Sequence, residues 1–513
     1  MGLKTDILIL GGGLTGICAA WEILQNTSLR VDLLRWGGGA SPYIHGFCLP
    51  VGEDDSEELF FADSMASGYG QCREDLMRRL CRDSLTLPDY FRSLELCIDT
   101  QSGAPRLIKS LGSSVARIAG IGNNTGPVML ATLRKKLEAT HRYREHTNLR
   151  GLELVKQKGR VVGVRCYDSS SDTFRTLSAG LVILATGGFG RLFPESTNSA
   201  DIGGDGCAMA YLAGCKMTDM EFIQFEPSAA VWPTALAGKS IITTMFYEGA
   251  VLRGGDGKRF MEECVPKDAQ AKAISREIRR GNTTPHGGVW FDATQVPMSM
   301  WEGIYKPYRS RYLAQGIDMT KEPVEIAPAA HTTCGGVLID ENCRTGIPGL
   351  LACGEVTGGL HGANRLGGNA GLETMVFGRA AGLAAPNLYA PVEELEENIC
   401  PNHPGDVNIS ALRQQLEQLL RERLGVLRSG PELEDGIRQL DDLLMQLGSH
   451  EGCYEKHRLY NDLVTSRIAM VSALARRESC GCHTREDSGA AASPYRIIVQ
   501  NNQGEMTLSK ESV

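Results

Sequence analysis

Apolar residues in this chain come in short runs that end in glycine. Residues 6–10 read D-I-L-I-L, the pattern of a buried strand. Residues 17–24 follow without proline and read as a helix, and residues 30–34, R-V-D-L-L, as a second apolar strand. Residues 181–190, L-V-I-L-A-T-G-G-F-G, repeat the strand-then-glycine pattern, and so does I-P-G-L-L-A-C-G-E-V-T-G-G at 347–359. A helix is predicted from about Leu372. Residues 287–292, G-G-V-W-F-D, predict a strand between these blocks. Residues 401–406 read as a linker. Beyond them Leu412, Leu416, Leu419, Leu420 and Leu424 keep helical spacing, as do Leu433, Ile437, Leu440, Leu444 and Leu447. The tail after Ser488 carries no clear pattern.

The first run has chemistry attached. Gly11, Gly13 and Gly16 fit G-x-G-x-x-G, with Leu14 and Thr15 inside the motif, between a strand and a helix. Gly11 allows the tight turn, Gly13 lets backbone approach a pyrophosphate, and Gly16 lets helix pack on strand. The helix N-terminus supplies N–H donors for the phosphates. The end of the second strand often carries an acid for a ribose; here it carries Arg35 and Trp36. Three such signatures spread over about 350 residues suggest one nucleotide domain interrupted by a long insertion.

Composition narrows the function. The chain has 513 residues, which as a prior means roughly two to four domains. Its formal charge of -8 excludes a strongly basic nucleic-acid surface. No apolar run approaches the ~20 residues of a membrane helix, and no secretory signal precedes the first strand. The 16 cysteines show no C-x-x-C pair, so zinc-ribbon and ferredoxin spacings are absent and no metal site is expected. Scattered thiols point to a reducing compartment, and a cytoplasmic location is expected.

The sequence resembles the flavoprotein family of fumarate reductase, succinate dehydrogenase and L-aspartate oxidase. The matching segments are G-G-G-L-T-G at Gly11, A-T-G-G at Ala185 and G-G-D-G-C-A-M-A-Y-L-A-G at Gly203. They continue with M-E-F-I-Q-F at Met220, D-G-K-R-F-M at Asp256 and A-A-H-T-T-C-G-G at Ala329. C-G-E-V-T-G-G-L-H-G-A-N-R-L-G-G-N at Cys353 and R-R-E-S-C-G-C-H-T-R-E-D at Arg476 complete the set. The order holds from about residue 5 to 488. The resemblance implies an α/β protein: a Rossmann-like FAD-binding domain, an inserted α+β capping domain and a C-terminal helical domain. The expected ranges are 1–225 with 336–400, 226–335, and 406–490, leaving 491–513 as a tail. Residues 476–487 are expected to run back to the FAD domain.

For FAD, the resemblance implies pyrophosphate contacts at Gly11, Gly13, Leu14, Thr15 and Gly16. It implies further contacts at residues 40–47, including Ala40, His45 and Gly46, and at Asp205, Glu355, Ala370 and Gly371. Relatives with covalent FAD use a histidine where Ala40 stands, and glutamine where His45 stands, so non-covalent FAD is expected. His331 and Arg365 are implied to hold a substrate carboxylate, because a guanidinium grips carboxylate in a bidentate fork.

Three positions depart from the family. Fumarate reductases read Q-x-H-P-T where this chain reads Gln224-Phe225-Glu226-Pro227-Ser228. The T-E-x-x-R-G stretch is replaced by the uncharged S-I-I-T-T-M-F-Y at 240–247. The arginine of P-R-D becomes Lys267. Lys267 is the candidate acid/base, and Glu226 either pairs with it or accepts a hydrogen bond from the far end of the substrate. The expectation is hydride transfer between flavin N5 and a carbon beside a carboxylate, with a substrate other than fumarate. An electron-transfer subunit with an iron–sulfur partner, and a flavin-binding protein without catalysis, are the alternatives.

Overall fold

The computed structural model describes residues 3–122, 124–396, 399–489 and 493–513. Of the expected domain ranges, residues 1–2, 123, 397–398 and 490–492 lie outside these.

The strand at the chain start, Leu3–Leu10, sits at the centre of the largest sheet. It pairs in parallel with Val31–Leu34 on one side and with Thr173–Leu184 on the other. Ile7, Leu8 and Ile9 are wholly buried, as expected for a strand covered on both faces. Leu350–Ala352 joins in parallel beside Thr173–Leu184. All three strand–glycine signatures therefore deliver their glycine turns to one edge of one sheet. Arg160–Asp168 and Leu149–Gln157 extend it antiparallel. Two helices, Leu14–Asn26 and Asn369–Leu388, pack against each other over it.

The inserted region builds its own four-stranded antiparallel sheet, in the order Ile223–Ala230, Val324–Thr333, Val289–Asp292, Val251–Arg253. The strand expected at 287–292 is thus Val289–Asp292. The helix Lys267–Arg279 lies against this sheet. A separate apolar cluster, including Leu252, Ile274, Phe291, Trp301 and Ile326, holds the unit together. The last helices are Ile409–Arg423, Gly430–Leu447 and Tyr454–Ala475. Leu412, Leu416, Leu420, Leu433, Leu440 and Leu447 are buried in the predicted register.

Residues 476–487 return to the large domain. Cys482 N–H donates to Ala363 O at 2.8 Å, and Arg476 pairs with Glu221 at 2.7 Å with both side chains sealed from solvent. The tail, unpatterned in sequence, forms a hairpin, Tyr495–Asn502 with Glu505–Ser512. Its inner strand pairs with Lys216–Thr218 and buries Ile497 and Val499.

Candidate functional site

The glycine edge of the large sheet and the underside of the inserted unit enclose one cavity of about 1630 Å³. That exceeds the ~300–1,000 Å³ of an ordinary small-ligand pocket and leaves room for a dinucleotide and a second molecule.

At one end lies the glycine loop. Gly11 has φ +118°, and a Cβ there would stand 2.0 Å from Ala185 O. A Cβ on Gly16 would stand 2.1 Å from Gly11 O. Both glycines are therefore required by close backbone approach. The helix Leu14–Asn26 begins at Gly13, which has no side chain to cap it. Its first N–H, Leu14 N, reaches Ser41 Oγ at 2.8 Å, and Arg134 holds Gly12 O at 2.9 Å. The open helix terminus beside a loop without side chains fits a pyrophosphate. Gly16→Ala pushes the helix from the loop. We expect about 1–3 kcal/mol of destabilisation with less cofactor retained, read from melting and from the flavin-to-protein ratio.

Gly11, Gly13, Thr15, Ala40, His45, Gly46, Asp205, Glu355, Ala370 and Gly371 all line the cavity. Leu14 and Gly16 do not; Leu14 is wholly buried in the core, and Gly16 serves packing. The Asp205 carboxylate is taken by Arg150. Burial raises its pKa, but Arg150, Arg458 and Asn461 together hold it below the usual range. Arg150 in turn lies over the Trp36 ring, 5.4 Å from its centroid. Trp36 thus presents an aromatic wall where an acid often stands. Glu355 accepts from Thr333 N–H at 3.0 Å, and burial pushes its pKa up to about 7.

At the other end the chain brings together four residues far apart in sequence: Glu226, Lys267, His331 and Arg365. Glu226 stands on the first strand of the inserted sheet and is 3% exposed. Its Oε2 pairs with Lys267, at the first turn of Lys267–Arg279. Its Oε1 lies 3.0 Å from the Ser228 hydroxyl. Of the two roles open to Glu226, the structure shows the ion pair. Burial raises its pKa, yet Lys267, with the Ser228 hydroxyl, holds it below the ordinary carboxylate value.

His331 Nδ1 lies 2.7 Å from Thr197 Oγ1, and Nε2 lies 3.9 Å from Glu226 Oε2. Burial drives its pKa down to about 3, so the ring is neutral at neutral pH. The Thr197 hydroxyl is 3.4 Å from Ala330 O but 2.7 Å from Nδ1. Thr197 thus anchors the ring at Nδ1 and leaves Nε2 turned toward the Glu226 side of the cavity. Arg365 is 7% exposed. Its Nη1 donates to Leu366 O at 3.2 Å, while Nε has no partner. Gln224 fixes this loop by donating to Asn364 Oδ1 at 2.7 Å and Arg365 O at 2.9 Å. A buried guanidinium edge without a partner is a waiting anion site.

Ser41 lies inside the predicted stretch 40–47, whereas sequence reasoning missed Arg134, Arg150 and Thr197. Each of these three supports the glycine loop or a predicted residue from a distant segment that carries no motif. Ser240, Ile241, Ile242, Thr243 and Thr244 line the cavity as a neutral wall. Among the described residues, no group of three or more His, Cys, Asp or Glu side chains is placed to hold a metal. In the same residues, no helix is long and apolar enough to cross a membrane.

Comparison with known proteins agrees with this geometry. The FAD binding domain family profile matches residues 6–370, and the profile for the fumarate reductase flavoprotein C-terminus matches residues 413–496. One of the subunits of the fumarate reductase (CoM/CoB) of Methanothermobacter marburgensis is 32% identical, with 94% of each chain covered. L-aspartate oxidase of Streptomyces coelicolor is also 32% identical, over 94% of this chain and 89% of that protein. Among solved structures, a mutant E. coli quinol fumarate reductase superposes with a TM-score of 0.88 at 25% identity, covering 100% of this chain and 97% of the other. The glycine cradle, the buried sheet edge and these matches make FAD the cofactor, and the chain belongs to the fumarate reductase, succinate dehydrogenase and L-aspartate oxidase family of FAD-dependent oxidoreductases.

Proposed function

We propose that this enzyme transfers hydride between flavin N5 and a carbon adjacent to a substrate carboxylate, and that the substrate is not fumarate. The observation that carries the reading is the unpartnered Nε of Arg365, buried beside the neutral ring of His331 at the end of the cofactor cavity.

Bound FAD supplies the two-electron couple. Arg365 holds the carboxylate, and His331 donates to it from Nε2. Such a grip draws electron density from the adjacent carbon and fixes its orientation. Lys267 Nζ carries the proton that the neighbouring carbon gains or loses. Glu226 keeps that ammonium in place and balances its charge. The family histidine for a second carboxylate is absent at 226, so the short dicarboxylate loses a donor there. The neutral wall at 240–244 adds no replacement charge.

The test is anaerobic. The flavin is reduced photochemically and its absorbance followed on mixing with fumarate and, in parallel, with unsaturated monocarboxylates and longer unsaturated dicarboxylates. Slow reoxidation by fumarate with fast reoxidation by another enoate is the expected result. Rapid reoxidation by fumarate overturns the substrate reading.

FAD is held without a covalent bond in this reading, because Ala40 offers no nucleophile at the family's linkage position. Acid precipitation is expected to release all flavin colour to the supernatant. Colour left in the pellet would instead indicate a covalent link, with His45, which also lines the cavity, the first position to check.

A second reading is supported by relatives whose names describe one subunit of a larger enzyme or a quinol enzyme. Here the chain exchanges electrons with an iron–sulfur or other redox partner. Co-purification of such a protein decides it. The cysteines are scattered and mostly buried, which supports a reducing compartment, the cytoplasm.

A further inference from the structure

A second guanidinium faces the substrate end of the cavity from the inserted unit. The short helix Lys306–Leu313 presents Arg311 to the same cavity that Glu226, Lys267, His331 and Arg365 line. Arg311 is partly buried. It donates to Ser240 O at 3.3 Å and lies 5.5 Å from the centroid of the Tyr308 ring. Arg309, two residues earlier on the helix, is paired with Asp318. No carboxylate among the described residues lies within ion-pair distance of Arg311. Lys109 and Lys239 also border the cavity, but both are exposed at its mouth.

The charges around the substrate end do not cancel. Lys267 and Glu226 neutralise each other. His331 is neutral, and His361 is matched by Glu373. Arg365 shares its surroundings with Glu355 and Glu373, whereas Arg311 has no carboxylate at pairing distance. Their order along the cavity can be read from their neighbours. His331 feels Arg365 and Lys267, whereas His45 feels Arg311 and Lys267. Tyr308 feels both Arg311 and Glu226. The contacts trace the same order: Glu226 Oε2 lies 3.9 Å from His331 Nε2, and the Ser228 hydroxyl lies 3.0 Å from Glu226 Oε1 and 2.7 Å from Ile241 O, next to Ser240, whose carbonyl accepts from Arg311. A partly desolvated cation without a partner favours an anionic ligand.

We propose that Arg311 is a second anion-binding residue, so that the substrate carries one carboxylate on Arg365 and His331 and a second anionic group on Arg311, beyond the Lys267–Glu226 pair. This rests on the reading that Arg365 and His331 hold a carboxylate next to the reacting carbon. The substrate class is an elongated dianionic acid. In fumarate the two carboxylates sit on adjacent carbons; here an ion pair separates their counter-charges.

Calorimetric titration of the flavin-loaded protein tests the proposal with saturated acids that cannot accept hydride. Glutarate is compared with pentanoate, and adipate with hexanoate, so that each pair differs in one carboxylate. In the wild type at least one dicarboxylate is expected to bind at least about tenfold more tightly than its monocarboxylate partner. Arg311→Gln is expected to erase that advantage, and Arg311→Lys to restore part of it. An equal affinity within both pairs, or an advantage that survives in R311Q, overturns the proposal. If none of the acids binds, this proposal and the carboxylate reading fall together. If the Arg311-dependent advantage is present but no unsaturated acid reoxidises reduced flavin, the anion site stands and the hydride-transfer reading falls.

Discussion

Arg365→Gln lowers kcat/KM for the carboxylate substrate by about 30-fold to several thousand-fold. That range corresponds to ~2–5 kcal/mol, the usual effect of truncating one member of a buried, hydrogen-bonded charge pair. The side chain holds no carboxylate of the protein, and its Nε is buried without a partner. Removing it strands no ion partner, and Leu366 O, which loses the Nη1 bond, keeps the Asn369 N–H at 3.2 Å. The melting temperature of R365Q is expected to stay level or rise, with flavin content unchanged. Activity loss without stability loss is the signature of a residue kept for ligand rather than for fold. A kcat/KM within threefold of wild type on the best substrate would remove Arg365 from the site.

Lys267→Met behaves differently, because the structure already uses Lys267. Glu226 is 3% exposed and loses its ion partner in K267M. Breaking a buried pair from one side costs about 3–5 kcal/mol. Replacing both members, K267M with Glu226→Gln, recovers most of the stability, since no charge is left stranded. Neither variant is expected to turn over at more than about a hundredth of the wild-type rate, the lower range for loss of a general acid. A double variant with wild-type turnover would show the pair to be structural only.

The two proteins also differ in acid. In the wild type, burial raises the Glu226 pKa but Lys267, with the Ser228 hydroxyl, holds it below the ordinary value. A depressed carboxylate contributes stability above its unfolded pKa of about 4.3, and that contribution is lost as pH falls through the folded value. In K267M burial acts without its main opponent and the folded pKa lies above the unfolded one. That variant gains stability as pH falls toward ~4, a range in which the wild-type contribution is still intact; the wild type loses its contribution only below ~4. Urea midpoints measured across this range show the crossing directly.

Much of the fold was legible because backbone geometry leaves a mark in sequence. A strand buried on both faces needs a continuous apolar run, and a turn against a phosphate needs glycine. The D-I-L-I-L run, Gly11 and Gly16 therefore pointed to the centre of the sheet and its cradle. The helical leucines from Leu412 to Leu447 were readable for the same reason. The hairpin at Tyr495–Asn502 was not, because its pairing partner at Lys216–Thr218 is remote and its outer strand is solvent-exposed. The site divided along the same line. His331 and Arg365 lie in motifs dense enough to identify. Thr197, which anchors the histidine ring, and Arg311 lie in segments whose role comes from tertiary placement alone. The link between Glu226 and Lys267 was one of two alternatives in sequence, since forty intervening residues fold into the unit that closes it.

The strand order has a consequence for biosynthesis. The central strand pairs with Thr173–Leu184, and the cavity wall is complete only when Gly371 and Thr374 arrive on the helix Asn369–Leu388. A nascent chain leaving the ribosome therefore exposes the apolar strand Leu3–Leu10 long before its second neighbour is made. Such delayed, non-local closure slows folding and favours aggregation of partly made chains. Cofactor capture is then a late event in the life of the polypeptide, and flavin scarcity during synthesis is expected to lower soluble yield rather than to leave a stock of stable apoprotein.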